Sequence, residues 1–227
     1  MTEAEASAKP TEPTAKPTEP TAEPTAKPTE PTPTPEPTAK PPEPEKPFSV
    51  GVTSNNVYTS ALFGIGLALD ENWELCTQEE LEEMNGVSAG EALGEAFQNA
   101  MDNGAVYTDV MAIAEDGLMS ISASIEKLSA EDASYVYEEV YVDIAIGSNA
   151  FEESFEEMGV PLVALEKGTA FLAGVERPCI YLAGDVEGIT LYEKIIPVKA
   201  GRYLLIITVC SVGENILDDL IGLFYAA

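Results

Sequence analysis

LEKGTAFLAGVERPCIYLAGDVEGITLYEKIIPVKAGRYLLIITV, residues 165–209, is the stretch on which the fold turns. Short runs rich in Val, Ile, Leu, Phe and Tyr alternate with glycine-bearing breaks, the pattern of strands joined by tight turns. The spacing predicts strands at 162–167, 169–172, 179–185, 190–197 and 202–210, with Gly184, Gly188 and Gly201 marking the connections. The longest apolar run, Tyr203 to Cys210, has the length of a strand and falls far short of a bilayer span.

Downstream, residues 216–225 read as a closing helix that buries Ile216, Leu220 and Leu223 or Phe224. Upstream, Ser129 and Asp132 cap a long segment reaching Met158. It is β-branched, yet Val136, Val140 and Ile144 lie four apart, which favours a helix bent near Gly147. Before it, 105–114 and 118–127 flank Glu115-Asp116-Gly117 as an antiparallel hairpin. Thr77 and Glu80 form a capping box opening a short helix that Asn85-Gly86 ends. A second helix is expected over 89–102, with Leu93, Phe97 and Met101 on one face. Residues 61–69 (ALFGIGLAL) read as a buried strand, with a turn at 70–72 before Trp73. Hairpins with segregated helices predict an α+β fold, an antiparallel sheet flanked by helices, over residues 48–227.

Residues 1–47 are of another kind. They hold 14 of the 17 prolines and no Val, Ile, Leu, Phe, Trp or Tyr. With no apolar surface to bury, the ordering entropy goes uncompensated, so a disordered Pro-rich tether is expected. AKPTEPT recurs at 8–14, 15–21 and 26–32. Regular proline spacing favours a semi-rigid polyproline-II spacer, with an upper reach of roughly 150 Å.

Charge and composition exclude several functions. The formal net charge is −29. Residues 1–47 carry five lysines against nine glutamates; the remainder has six basic residues against 31 acidic ones. Such a field repels phosphate, so no nucleic-acid partner is expected, and it suits a cationic one. There is no histidine, which removes His-based triads, His-ligated zinc and His pH switches. Cys76, Cys179 and Cys210 lack CxxC spacing; two of them lie in strand-like runs, and no pairing follows from sequence. Adjacent acids such as Glu138/Glu139 point apart on a helix, and 115–117 and 184–188 are turn-sized pieces without EF-hand spacing. No catalytic, cofactor-binding or metal-ligating residue is nominated, and no cofactor is expected. Trp73 is expected in the core or at its rim.

Three segments carry a resemblance. FGIGLALDENW at 63–73 resembles the strand, turn and Trp that open PsbP-like domains. Residues 165–209 are similar to their meander, and ENILDDLIGLFYA at 214–226 to their terminal helix. With the Pro/Thr-rich segment ahead of it, the chain resembles surface lipoproteins of anaerobic Gram-positive gut bacteria. The resemblance implies a PsbP-like sandwich and an extracellular, surface-tethered location. The first residues show no export signal, so a lipid anchor is expected only upstream of them. The expected function is a non-catalytic domain displayed on a stalk that binds or presents an unidentified protein or cell-envelope component. The alternatives are a carboxylate-dependent extracellular hydrolase and a structural subunit of an envelope complex.

Overall fold

The computed structural model describes residues 47–227. The tether expected at 1–47 therefore lies outside the described residues, except for Pro47. Antiparallel sheets flanked by helices are what the structure shows.

The larger sheet has seven strands: β4 (Trp73–Leu75), β5 (Tyr107–Ala114), β6 (Met119–Lys127), β7 (Leu162–Leu172), β8 (Val175–Val186), β9 (Ile189–Ala200) and β10 (Tyr203–Val212). Its order is β4-β5-β6-β10-β9-β8-β7, every neighbouring pair antiparallel. A smaller sheet pairs β1 (Val52–Ser54), β2 (Val57–Ser60), β3 (Ile65–Ala68) and β11 (Phe224–Ala226) in the order β1-β2-β3-β11.

The main core lies between the two sheets. On the inner face of the large sheet, Ile121, Ala123 and Ile125 of β6 and Leu205, Ile207 and Val209 of β10 are fully buried. They cluster with Tyr58, Ile65 and Leu67 of the small sheet and with Leu217, Leu220 and Ile221 of α6 (Leu217–Ile221). Each large aliphatic side chain so buried contributes about 1.5–3 kcal/mol. Trp73 joins this core at 9% exposure, as its position after the turn predicted. On the outer face a second cluster joins Ile180, Leu182 and Ile195 to Val142 of α4 (Glu138–Gly147) and Phe155 of α5 (Ala150–Glu157).

Several expectations hold in detail. The capping box of α1 (Gln78–Asn85) is formed in both directions between Thr77 and Glu80, and Gly86 ends the helix in the left-handed region. The hairpin around Glu115-Asp116-Gly117 is present. The long segment before Met158 is helical and broken after Gly147, behind a 3-10 turn at Asp132–Ser134.

Others are corrected. Within 61–69 only Ile65–Ala68 is a strand, because Gly64 adopts φ +66° and its N–H turns back to Ser60 O at 2.8 Å. The helix expected at 89–102 is two, α2 (Ala89–Ala92) and α3 (Glu95–Met101), parted at Gly94. Leu93 thereby falls outside the buried stripe that keeps Met101, and it is exposed. In α4 the one buried residue is Val142; of the expected 136/140/144 stripe, Val136 is buried but precedes the helix, Val140 is half-buried and Ile144 is exposed.

Residues 162–172 form one strand, and the turn comes later, at Ala173-Gly174, both with positive φ as a two-residue hairpin requires. Gly184 is no turn. It lies inside β8, and a Cβ there would stand 2.7 Å from both Phe155 and Val160, so α5 and the residues after it need glycine's bare surface. The closing helix is only five residues long; after Gly222 the chain extends and β11 pairs with β3. The terminal helix implied by the resemblance thus gives way to a strand. Extending the small sheet leaves fewer backbone groups of β3 unpaired than a longer helix would.

Candidate functional site

Three places in the fold concentrate polar side chains away from ordinary solvated surface. Two of them are structural.

The first is the split between β8 and β9. Their ladder ends at the pair Ile180–Ile195, just short of Pro178 and Pro197, neither of which has an N–H to give. Beyond that point Glu138, in the first turn of α4, fills the gap. Its Oε1 accepts from Arg177 Nη1 at 2.5 Å and from the Lys199 backbone N–H at 2.9 Å. The Lys199 side chain turns outward over the Tyr137 ring and donates to Ala133 O. This is how α4 is fixed to the sheet.

The second is Asp109, at the β-bulge where the β5–β6 register shifts between Thr108 and Val110. Its carboxylate accepts from Tyr58 Oη at 2.5 Å and from Gly51 N at 2.7 Å, joining the two sheets. Burial raises the Asp109 pKa above the usual carboxylate range, against the pull of these two donors. Burial, and then the neighbouring Asp109 charge, hold the Tyr58 hydroxyl protonated far above its normal range. A carboxylate enclosed by its own fold in this way presents nothing to a ligand.

The third is open. α4 and α5 lie over β7, β8 and β9 of the outer face. The remaining half of that face, on β5, β6 and β10, carries a row of small polar side chains, Ser120, Ser122 and Ser124 on β6 with Thr108 on β5 and Thr208 and Cys210 on β10, set beside the apolar Met111 and Ile113 of β5 and Leu204 and Ile206 of β10. The polar ones are half-buried, while the alternate residues of β6 and β10 point into the core. Thr108 and Ser124 hydroxyls approach to 3.4 Å. The alternation follows from the period-two pleat, which sends Ile121, Ala123 and Ile125 inward and the serines outward. The strand expected at 118–127 carries this row, since SISASIE alternates, but alternation alone does not tell which face a helix covers.

Two acids bound this surface. Glu126 ends the serine row on β6, opposite Leu204, and Glu193 of β9 pairs with Cys210. Burial alone raises both their pKa values, and among the described residues neither has a hydrogen-bond or ion-pair partner. Burial, with the Glu193 charge second, pushes the Cys210 thiol up to about 12. Tyr141 of α4 is raised for the same reasons, burial first and then Glu126.

The three cysteines are free thiols. Among the described residues no three His, Cys, Asp or Glu side chains come together as a metal site would require. No described helix is long and apolar enough to cross a membrane. No family model matches this chain, and neither does any curated protein.

Proposed function

We propose that this chain is a non-catalytic domain, displayed outside the cell on its Pro-rich stalk, that binds a partner through the open half of the outer sheet face. The observation that carries the reading is the contrast across one sheet: among the described residues α4 and α5 pack on β7–β9, while the hydroxyl row on β5, β6 and β10 stays half-exposed at their edge. A sheet face with a row of hydroxyls beside apolar residues such as Met111 and Ile113 suits contact with an extended molecule better than it suits chemistry, which needs a concave site and converging groups. The PsbP-like likeness and the surface location belong to this proposal. They rest on the sequence segments quoted above and on the charge, which favours a solvated, cation-seeking surface.

The test places a long charged side chain on the open face. Fluorescently labelled full-length chain and its Ser122→Arg and Thr208→Arg variants are incubated with washed cells of the organism that encodes it. Wild-type retention at the envelope, with at least tenfold loss in both variants at unchanged thermal midpoint, is expected. Equal retention of wild type and variants overturns the assignment of this face.

A further inference from the structure

All six basic residues between 47 and 227 are engaged within the fold. Lys127 and Arg202 both bind Asp102, Lys167 binds Asp143, Arg177 binds Glu138 and Lys194 binds Asp218. Lys199 is held by Ala133 O and the Tyr137 ring. No cation of the described domain is left for Glu126 or Glu193, although both are half-buried. A carboxylate so placed without a partner is costly, and its pairing with an incoming cation is correspondingly favoured.

The geometry between these two acids is regular. Glu126 faces Leu204 and Glu193 faces Cys210, so they stand six residues apart along the strands. At about 3.3 Å per residue that is roughly 20 Å, with two strand spacings of lateral offset. Between them Ser120, Ser122 and Ser124 recur every second residue. An extended polypeptide laid along β6 and β10 has the same two-residue repeat, so successive amides or side chains on one of its faces meet successive hydroxyls.

We propose that the open face takes an extended basic polypeptide segment of a partner protein, with cationic side chains six residues apart at Glu126 and Glu193; this rests on the binding reading above. The hydroxyl row sets orientation and the two carboxylates set spacing. A compact cluster of positive charge satisfies only one end.

Two peptides of equal composition and charge test it, KTQTQTK and its rearrangement TQTKKTQ, titrated into 15N-labelled full-length chain. The first is expected to shift the amides of Ser122, Ser124 and Thr208 selectively and to bind at least fivefold tighter than the second. Glu126→Gln with Glu193→Gln should weaken the first peptide by about tenfold or more and leave the second little changed. Neither substitution threatens folding, since each removes an unpaired, desolvated charge. Equal affinity for the two peptides, shifts spread over the whole acidic surface, or undiminished binding to the double variant overturns the proposal. If the arginine variants lose envelope binding while neither peptide binds the open face, the face stands as a binding surface and its occupant is not a basic peptide. If the arginine variants bind as wild type does, the functional reading falls with it.

Discussion

Glu138 accepts the backbone N–H of Lys199 at 2.9 Å, the position a neighbouring strand's carbonyl would take if the β8–β9 ladder continued past Ile180 and Ile195. One helix side chain thus satisfies a donor that two prolines leave stranded. It also carries Arg177, whose Nε is buried without a partner.

Removing that carboxylate should therefore be expensive. Glu138→Ala leaves the Lys199 amide and the Arg177 guanidinium, 18% exposed, without their acceptor. A loss of about 2 kcal/mol is expected, or a midpoint lower by roughly 4–8 °C for a domain of this size. Glu139→Ala, one residue on and exposed, should stay within about 0.5 kcal/mol of wild type. Denaturant melts of the two variants side by side decide it; equal losses would show that the bridge contributes nothing.

Gly184 makes a second, independent demand on the outer face. Gly184→Val sets a branched side chain where a Cβ alone already stands 2.7 Å from Phe155 and Val160. Overpacking of this kind costs about 1–3 kcal/mol, and here it should push α5 off β8. Hydrogen exchange in α5 should accelerate in the variant while β5 and β6 keep wild-type protection. Unchanged exchange in α5 would mean that the helix is not seated on this glycine.

These two residues also show where the sequence was legible. Strand content, the Asp-Gly hairpin and the Thr77–Glu80 box were readable because each is local: alternation, turn chemistry and a cap need only a few residues. Gly184 reads as a turn from sequence because a glycine in a strand and a glycine in a hairpin look alike without the helix packed on it. The α4 face is not legible because eight of the eleven positions from Val136 to Ile146 are apolar or aromatic, so several stripes compete. Residues 224–226 became a strand for a tertiary reason, the free edge of β3, 157 positions earlier in the register Phe224–Leu67. The serine row was visible as alternation. That it stays half-exposed depends on where α4 and α5 lie, which no local pattern records.

Thiol reactivity follows from the same burial. All three cysteines have raised pKa values, by burial first, and Cys210 reaches about 12. The thiolate fraction of Cys210 at pH 7.5 is then below about 1 in 10,000, and the thiolate is the reactive form. Iodoacetamide should label the native chain slowly and label all three thiols rapidly in guanidinium. Fast native labelling of Cys210 would contradict its placement beside Glu193.

The segment ahead of the domain should be dispensable for stability. Residues 1–46 have no Val, Ile, Leu, Phe, Trp or Tyr, so they have little apolar surface to contribute. A chain starting at Pro47 should melt within 1–2 °C of the full length by calorimetry, a shift of about 0.5 kcal/mol or less. A drop beyond that would give the repeat a packing role its composition does not foretell.

Mild acid should stabilise this domain. Asp109, Glu126 and Glu193 all have pKa values raised by burial, so each binds its proton more tightly folded than unfolded. For such a group the stabilising contribution is complete below the unfolded value, about 4, and is lost as pH rises through the folded one. Relief of repulsion among 31 acids acts in the same direction. Against this stand Glu80, Glu91, Asp102 and Asp132, whose hydrogen bonds lower their pKa values; their contribution is lost as pH falls, but all four are at the surface, where such effects are small. The midpoint should therefore climb between pH 8 and pH 5 and turn down only below about pH 4. Substituting Asp109→Asn, Glu126→Gln and Glu193→Gln together should flatten the rise, leaving the part due to net charge, which 0.5 M salt screens. A midpoint that falls steadily from pH 8 to pH 5 would mean these three carboxylates are paired in solution by cations the fold does not show.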